Sequence, residues 1–123
     1  MLVFVGGTDI TEFVNEKTYA LNEEKTFESW KDGNFREHRI YTSKKVKGTF
    51  EVALYGASDM DLQAFLDLWN SEVNNEIITL GVHVNNTNEF RVINAYYAIV
   101  GNSHREIANG GFLDVLTIEI SER

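Results

Sequence analysis

Cysteine is absent from the chain, which excludes disulfides and thiolate-held metals and agrees with a reducing cytoplasm. Proline is absent as well. Loop-rich folds normally use proline in their turns, so its absence favours long strands with one or more helices. A basic excess is also missing. Eleven Lys and Arg stand against 19 Asp and Glu, a formal net charge of −8. General nucleic-acid binders ordinarily carry the opposite balance, and this charge also disfavours adhesion to an anionic membrane surface. No apolar run approaches the roughly 18 residues of a spanning helix. Met1-Leu2-Val3-Phe4-Val5 is too short for a signal-peptide core and lacks a basic start. The Asn85-Asn86-Thr87 sequon therefore reads as chance, and the chain is expected to be made and used, or assembled, inside a cell. No internal repeat and no low-complexity linker divides it. Its 123 residues fit one domain, 1–123, able to bury about two-thirds of its unfolded surface.

Signatures of chemistry are equally scarce. His38, His83 and His104 are far apart, and none forms a metal-spaced pair along a strand or helix. Glu23-Glu24 and the Asp59/Asp61 pair would suit acid–base work, but in a chain with 19 carboxylates such pairs arise cheaply, and solvated acids and a helix start explain them better. Gly6-Gly7 lacks the continuation of a phosphate-binding loop. Neither Ser29 nor Ser43 sits in a nucleophile elbow. No enzyme activity, metal or cofactor is expected. An enzyme would need the three histidines to converge with carboxylates.

What is present is strand pattern and one helix. Leu2 to Val5 reads as a short strand stopped by Gly6-Gly7, and Asp9 to Val14 as a second strand or a turn. These first fourteen residues suit either the core or an arm laid on a neighbour. Thr18 to Thr26 reads as a strand with Tyr19 and Leu21 on one face. From Arg39 to Tyr55 the pattern is β, and Val46, Gly48, Phe50, Val52 and Leu54 share one face while Lys45, Lys47, Thr49 and Glu51 share the other. Ser58 to Val73 reads as the single helix, with Ser58 at the N-cap, Asp61 three residues on, and Leu62, Phe65, Leu66, Trp69 and Val73 in one apolar stripe. Ile77 to Val84 and Phe90 to Val100 follow as strands around an Asn85–Asn88 turn. Gly101-Asn102-Ser103 is expected to break the second of these before a short strand, His104 to Ala108. Asn109-Gly110-Gly111 then marks a turn, and Phe112 to Ile120 closes the chain with Leu116, Ile118 and Ile120 on one face. The sum is an α+β domain: a mainly antiparallel sandwich or barrel of six to eight strands with one amphipathic helix on its side. Phe50, Phe65, Trp69 and Phe112 are expected in the core. Tyr96 and Tyr97 are adjacent in a strand and point to opposite faces, so one lies outside it.

The stretch "ESWKDGNFREHR", Glu28 to Arg39, reads as a loop or hairpin tip. Trp30 and Phe35 flank the turn signal Asp32-Gly33-Asn34. Acidic Glu23, Glu24 and Glu28 precede it, and basic Arg36, Arg39, Lys44, Lys45 and Lys47 follow. Oppositely charged arms can pair across a hairpin. Alternatively, an apolar tip with separated charge suits docking on a neighbour, because Trp and Arg anchor interfaces and a head-to-tail contact closes into a ring when the rotation allows. Trp30, Asp32, Phe35, Arg36, Arg39, Lys45 and Lys47 are the candidate interface residues.

"GGTDITEFV", "SWKDGNFREHR", "VKGTFEVAL" before a single amphipathic helix, and the closing "FLDVLTIEISER" together resemble the small tail-associated structural proteins of tailed bacteriophages and prophages of Gram-positive bacteria. The resemblance covers most of the chain as an order of elements. It implies a β-sandwich or barrel flanked by one helix, working as a homo-oligomeric ring in a tail tube, tube-end adaptor or distal tail. The implied location is the virion tail, assembled in the bacterial host cytoplasm. Partners would be further copies of the chain and neighbouring tail proteins, with neither sequence-specific nucleic-acid binding nor a membrane. The basic stretch Arg36 to Lys47 would face neighbouring subunits, away from the channel. The alternative is a small binding module, its apolar ligand or peptide held among Phe50, Trp69, Phe112 and one of Tyr96 and Tyr97.

Overall fold

The computed structural model describes the backbone of residues 2–31, 37–55, 61–106 and 112–123, and the side chains of these residues other than 25–31, 37–43 and 112. Eight strands and one α-helix follow in the order β1 (Val3–Val5), β2 (Thr8–Asp9), a 3-10 turn (Thr11–Phe13), β3 (Ala20–Lys31), β4 (Glu37–Tyr55), α1 (Leu62–Ser71), β5 (Val73–Asn74), β6 (Ile77–Val84), β7 (Glu89–Glu106) and β8 (Phe112–Glu122). The strands form one open antiparallel sheet in the order β2-β1-β6-β7-β8-β4-β3, with β5 also on β6. The fold is therefore the expected α+β type.

Alternation sets the inner face. On β4, Val46, Phe50, Val52 and Leu54 are buried, and on β8 Leu116, Ile118 and Ile120 are buried while Glu119 is exposed. Residues 2–14 pack on the body of the domain, and Val3, Val5, Ile10 and Val14 are buried in its core. The open sheet curls on itself. Val14 bridges Val52, and the Asn15 N–H donates to the Glu51 carbonyl at 2.9 Å. At the far edge of the sheet, the start of β3 meets the β6–β7 turn. There the Asn85 N–H donates to the Leu21 carbonyl at 2.9 Å. The Asn86 side chain both accepts from the Glu23 N–H and donates to the Glu23 carbonyl, each at 2.8 Å.

The helix begins later than the sequence suggested. Asp61, not Ser58, is the N-cap: its backbone is extended and its carboxylate accepts the Ala64 N–H at 2.7 Å. The extended backbone at Asp61 is what makes it the cap, since Asp and Ser are equally good by residue type; Ser58 lies outside the described residues. Phe65 and Trp69 are buried, and Leu62, Leu66 and Val73 pack against them partly covered, as the apolar stripe predicts. Burying a side chain such as Phe65 stabilises by about 2–3 kcal/mol. Trp69 meets Tyr97 edge-on at 5.2 Å, while Tyr96 points the other way and is half-exposed.

One more expectation changes. Gly101-Asn102-Ser103 does not break the strand. The register slips between Ile99 and Gly101, leaving Val100 unpaired, and β7 continues to Glu106. A bulge absorbs the extra residue without ending the ladder. The stretch around Trp30 is a hairpin end, one of the two forms expected, with β3 running to Lys31 and β4 starting at Glu37; residues 32–36 lie outside the described residues.

Candidate interaction surfaces

The β3–β4 pair outgrows the sheet. β4 pairs with β8 from Lys47 to Tyr55 and with β3 from Glu37 to Thr49. Glu122 marks the limit, its carboxylate accepting the Val46 N–H at 2.9 Å where β8 has run out. Beyond this point, among the described residues, Glu24–Lys31 and Glu37–Lys45 pair only with each other. Eight residues at roughly 3.3 Å each make a two-stranded ribbon about 25 Å long.

The register places the sequence-predicted residues. Trp30 lies opposite His38, Arg39 opposite Ser29, Lys45 opposite Glu24 and Lys47 opposite Asn22. Asp32, Phe35 and Arg36 lie outside the described residues. The register sets opposite charges against each other at Glu24/Lys45 and Lys31/Glu37. Lys25 falls opposite Lys44, a like-charge position, and Lys47 reaches Glu24 only at 3.9 Å with both groups well exposed. Such an exposed pair is worth a few tenths of a kcal/mol.

A second surface was not foreseen. Ile93 and Ala95 of β7 are buried, so Val92, Asn94, Tyr96 and Ala98 point outward. Val92 is 73% exposed, and Phe90 and Val100 also stand in solvent. Phe90 closes over Gly81 of β6 and meets Phe4 of β1 edge-on at 5.7 Å. A Cβ on Gly81 would come within 2.7 Å of the Phe90 ring, so glycine there lets the ring lie on the sheet. Phe4, Gly6, Thr79, Gly81, Phe90 and Val92 thus line a shallow apolar groove of about 320 Å³. The signal was in "FRVINAYYAIV", which is apolar at both odd and even positions, whereas a strand with one wet face alternates.

Charge around this face is mixed, because exposed Lys47, opposite Ser121 of β8, and exposed Arg123, whose N–H donates to the Asn94 carbonyl, lie beside it. Glu119 of β8, opposite Ala98, and Glu89 are exposed. Arg91 is turned away to Glu23, at 2.5 Å, and to Glu89, at 3.2 Å. The Glu23 hydrogen bond, followed by Glu89, holds its guanidinium above its ordinary value.

Groups with catalytic potential are dispersed. His104 Nδ1 bonds Asp114 Oδ1 across the β7–β8 pair, and Asp114 is buried. His83 sits half-buried on β6, and His38 lies on the ribbon. No three His, Asp or Glu side chains among the described residues are placed to hold a metal. The Tyr19 hydroxyl donates to the His83 carbonyl at 2.6 Å and to the Leu2 carbonyl at 3.3 Å, and burial pushes its pKa well above the usual phenol value. Phe50, Trp69 and Tyr97, offered above as pocket walls, are core side chains packed on one another or on their neighbours. The Phe112 side chain lies outside the described residues. No helix among the described residues is long and apolar enough to cross a membrane.

Comparison with known proteins adds no family to this geometry: no protein-family model matches the chain, and no curated protein matches it.

Proposed function

We propose that the chain is a structural assembly subunit, a component of a bacteriophage tail that acts by ring-like self-association. It belongs to the tube, the tube-end adaptor or the distal tail, and is assembled in the bacterial host cytoplasm with neighbouring tail proteins. The observation that carries this reading is the β3–β4 ribbon, which continues about 25 Å past its last sheet partner. Two strands alone are marginally stable in water, so a ribbon of this length is best explained by a surface that receives it. Trp30 on β3 and Phe35 in the tip sequence supply anchors of the kind that dominate interfaces. The dispersal of the histidines supports a role without side-chain chemistry.

The test is light scattering on a sizing column over a concentration series, with negative-stain images of the same fractions. Rings or stacked tubes are the expected species, lost in Trp30→Ala and Phe35→Ala. The Phe4–Phe90 groove favours one other reading, a small module binding an apolar ligand or an extended peptide. A chain of 14.0 kDa at every concentration that binds a hydrophobic probe, with the binding lost in Phe90→Ala, would select that reading.

A further inference from the structure

Polar groups gather at one end of the outer face of the sheet. The register sets Ile77 and Thr79 of β6 beside Tyr96 and Asn94 of β7. Arg123, just past β8, is tied to the same place by its N–H, which donates to the Asn94 carbonyl at 2.9 Å. β5 and β6 are joined by Asn75-Glu76, both with positive φ, the two-residue turn of a tight hairpin. Glu72 caps the C-terminal end of α1, and its carboxylate lies over Gly6, after β1. Together Glu72, Asn74, Asn75, Thr79, Asn94 and Arg123 line a cleft of about 250 Å³, with Ile77 in its wall. That volume is near the lower end for small-ligand clefts, about 300–1,000 Å³. The half-exposed ring of Tyr96, the cross-strand neighbour of Ile77, borders it.

These groups suit hydroxyls. An amide offers both a donor and an acceptor, and so does a hydroxyl. Thr79 Oγ1 donates to Asn94 Oδ1 at 2.8 Å, which orients that amide and leaves its NH₂ to donate. The Glu72 carboxylate and the Arg123 guanidinium line the same cleft, yet neither has an ion-pair partner among the described residues. Glu72 also stands where the helix dipole disfavours an acid, so the stability of α1 does not account for it. An anionic ligand would meet the Glu72 carboxylate, and a metal cation would meet the Arg123 guanidinium. Neighbouring hydroxyls satisfy both, since they donate to the first and accept from the second.

We infer that this cleft binds a saccharide. Asn94, Asn74 and Asn75 take the hydroxyls in the middle, Glu72 and Arg123 hold them at the two charged positions, and the apolar side of the sugar ring lies on Tyr96. The cleft is on the body of the sheet and uses no residue of the ribbon.

Saturation-transfer NMR on the full chain tests this, because it reads the ligand whatever the size of the protein assembly. The probes are glucose, galactose, N-acetylglucosamine and N-acetylgalactosamine, with glutamate and inorganic phosphate as charged comparisons. At least one sugar should bind with a Kd on the order of 1 mM, the strength open to a ligand of about a dozen non-hydrogen atoms. Asn94→Ala, Arg123→Ala and Tyr96→Ala should each weaken it by about tenfold or more. Lys44→Ala, which does not line the cleft, should bind as wild type does. All four side chains are exposed, so the variants should fold, and circular dichroism melts check that they do. The inference is overturned if no sugar binds at concentrations well above that Kd, or if binding is unchanged in both Asn94→Ala and Arg123→Ala. It is overturned equally if glutamate or phosphate binds in place of the sugars and is lost in those variants.

Discussion

Gly48 lies where β4 is paired on both sides, to Leu21 of β3 and to Ile120 of β8. Its φ of +152° is one that side chains rarely adopt, and a Cβ placed there would lie 1.7 Å from the Ala20 carbonyl oxygen and 2.7 Å from the carbon of that carbonyl. In Gly48→Ala the β3 backbone must therefore retreat by more than 1 Å, in the order-of-magnitude sense of a normal carbon–oxygen contact. Holding a non-glycine residue in that region costs about 1–3 kcal/mol. Losing one or two β3–β4 hydrogen bonds costs about 1 kcal/mol each. Together these give about 2–5 kcal/mol, a large part of the 5–15 kcal/mol expected for a domain of this size. Urea unfolding followed by tryptophan fluorescence should show the midpoint falling with little change in slope. Gly7→Ala is the control: nothing lies within 4 Å of its added Cβ, so stability should stay within about 0.5 kcal/mol of wild type. A Gly48→Ala protein within about 1 kcal/mol of wild type would refute the reasoning that backbone approach at the ribbon root requires glycine.

Four further outcomes are expected. Tyr19→Phe removes a buried hydroxyl bonded to two carbonyls and should cost about 1–2 kcal/mol. Because burial raises the Tyr19 pKa above its unfolded value near 10.0, wild-type stability from this group is complete below that pH and declines above it; the variant should show a flatter alkaline limb in pH-dependent melts. Asp61→Ala should lose about 1 kcal/mol with the α1 cap, and Asp61→Asn much less, by the same urea assay. Trp69→Phe should cost much less than the roughly 3–5 kcal/mol of Trp69→Ala, since it also removes a buried indole N–H that has no hydrogen-bond partner among the described residues. Amide exchange should be fast at 25–31 and 37–44 in the isolated chain compared with 50–54 and 116–120, where β4 and β8 are paired within the sheet, and should slow on assembly.

The elements visible in advance were those with a strong period. Val46 to Leu54, Leu116 to Ile120 and the Phe65–Trp69 stripe each face the core as their spacing dictates, because one buried face imposes period two or 3.6. What failed was punctuation. Gly101-Asn102-Ser103 reads locally as a stop, yet long-range pairing with Leu116 and Thr117 carries the strand through it. Ser58 is as good a cap as Asp61 by residue type; only the backbone placement of Asp61 decides between them. The ribbon was announced by its charges and its Trp–turn–Phe pattern, but its length was not, since nothing local says where β8 ends. The outer face was missed because an apolar residue at an outward position looks, one residue at a time, like more core. It became visible once Ile93 and Ala95 fixed which way β7 faces.

β4 runs without interruption for 19 residues, from the ribbon to Tyr55, and changes partner on the way from β3 to β8. Mechanically it is a lever with arms of equal length, one laced into the sheet and the other standing clear of it. A load on the ribbon reaches β8 through covalent backbone, with no relay of side chains between. β8 in turn is bonded along its other edge to β7, which carries the outer apolar row. Tilting the lever therefore shears the pairing beneath that row, and weight placed on the row tilts the lever.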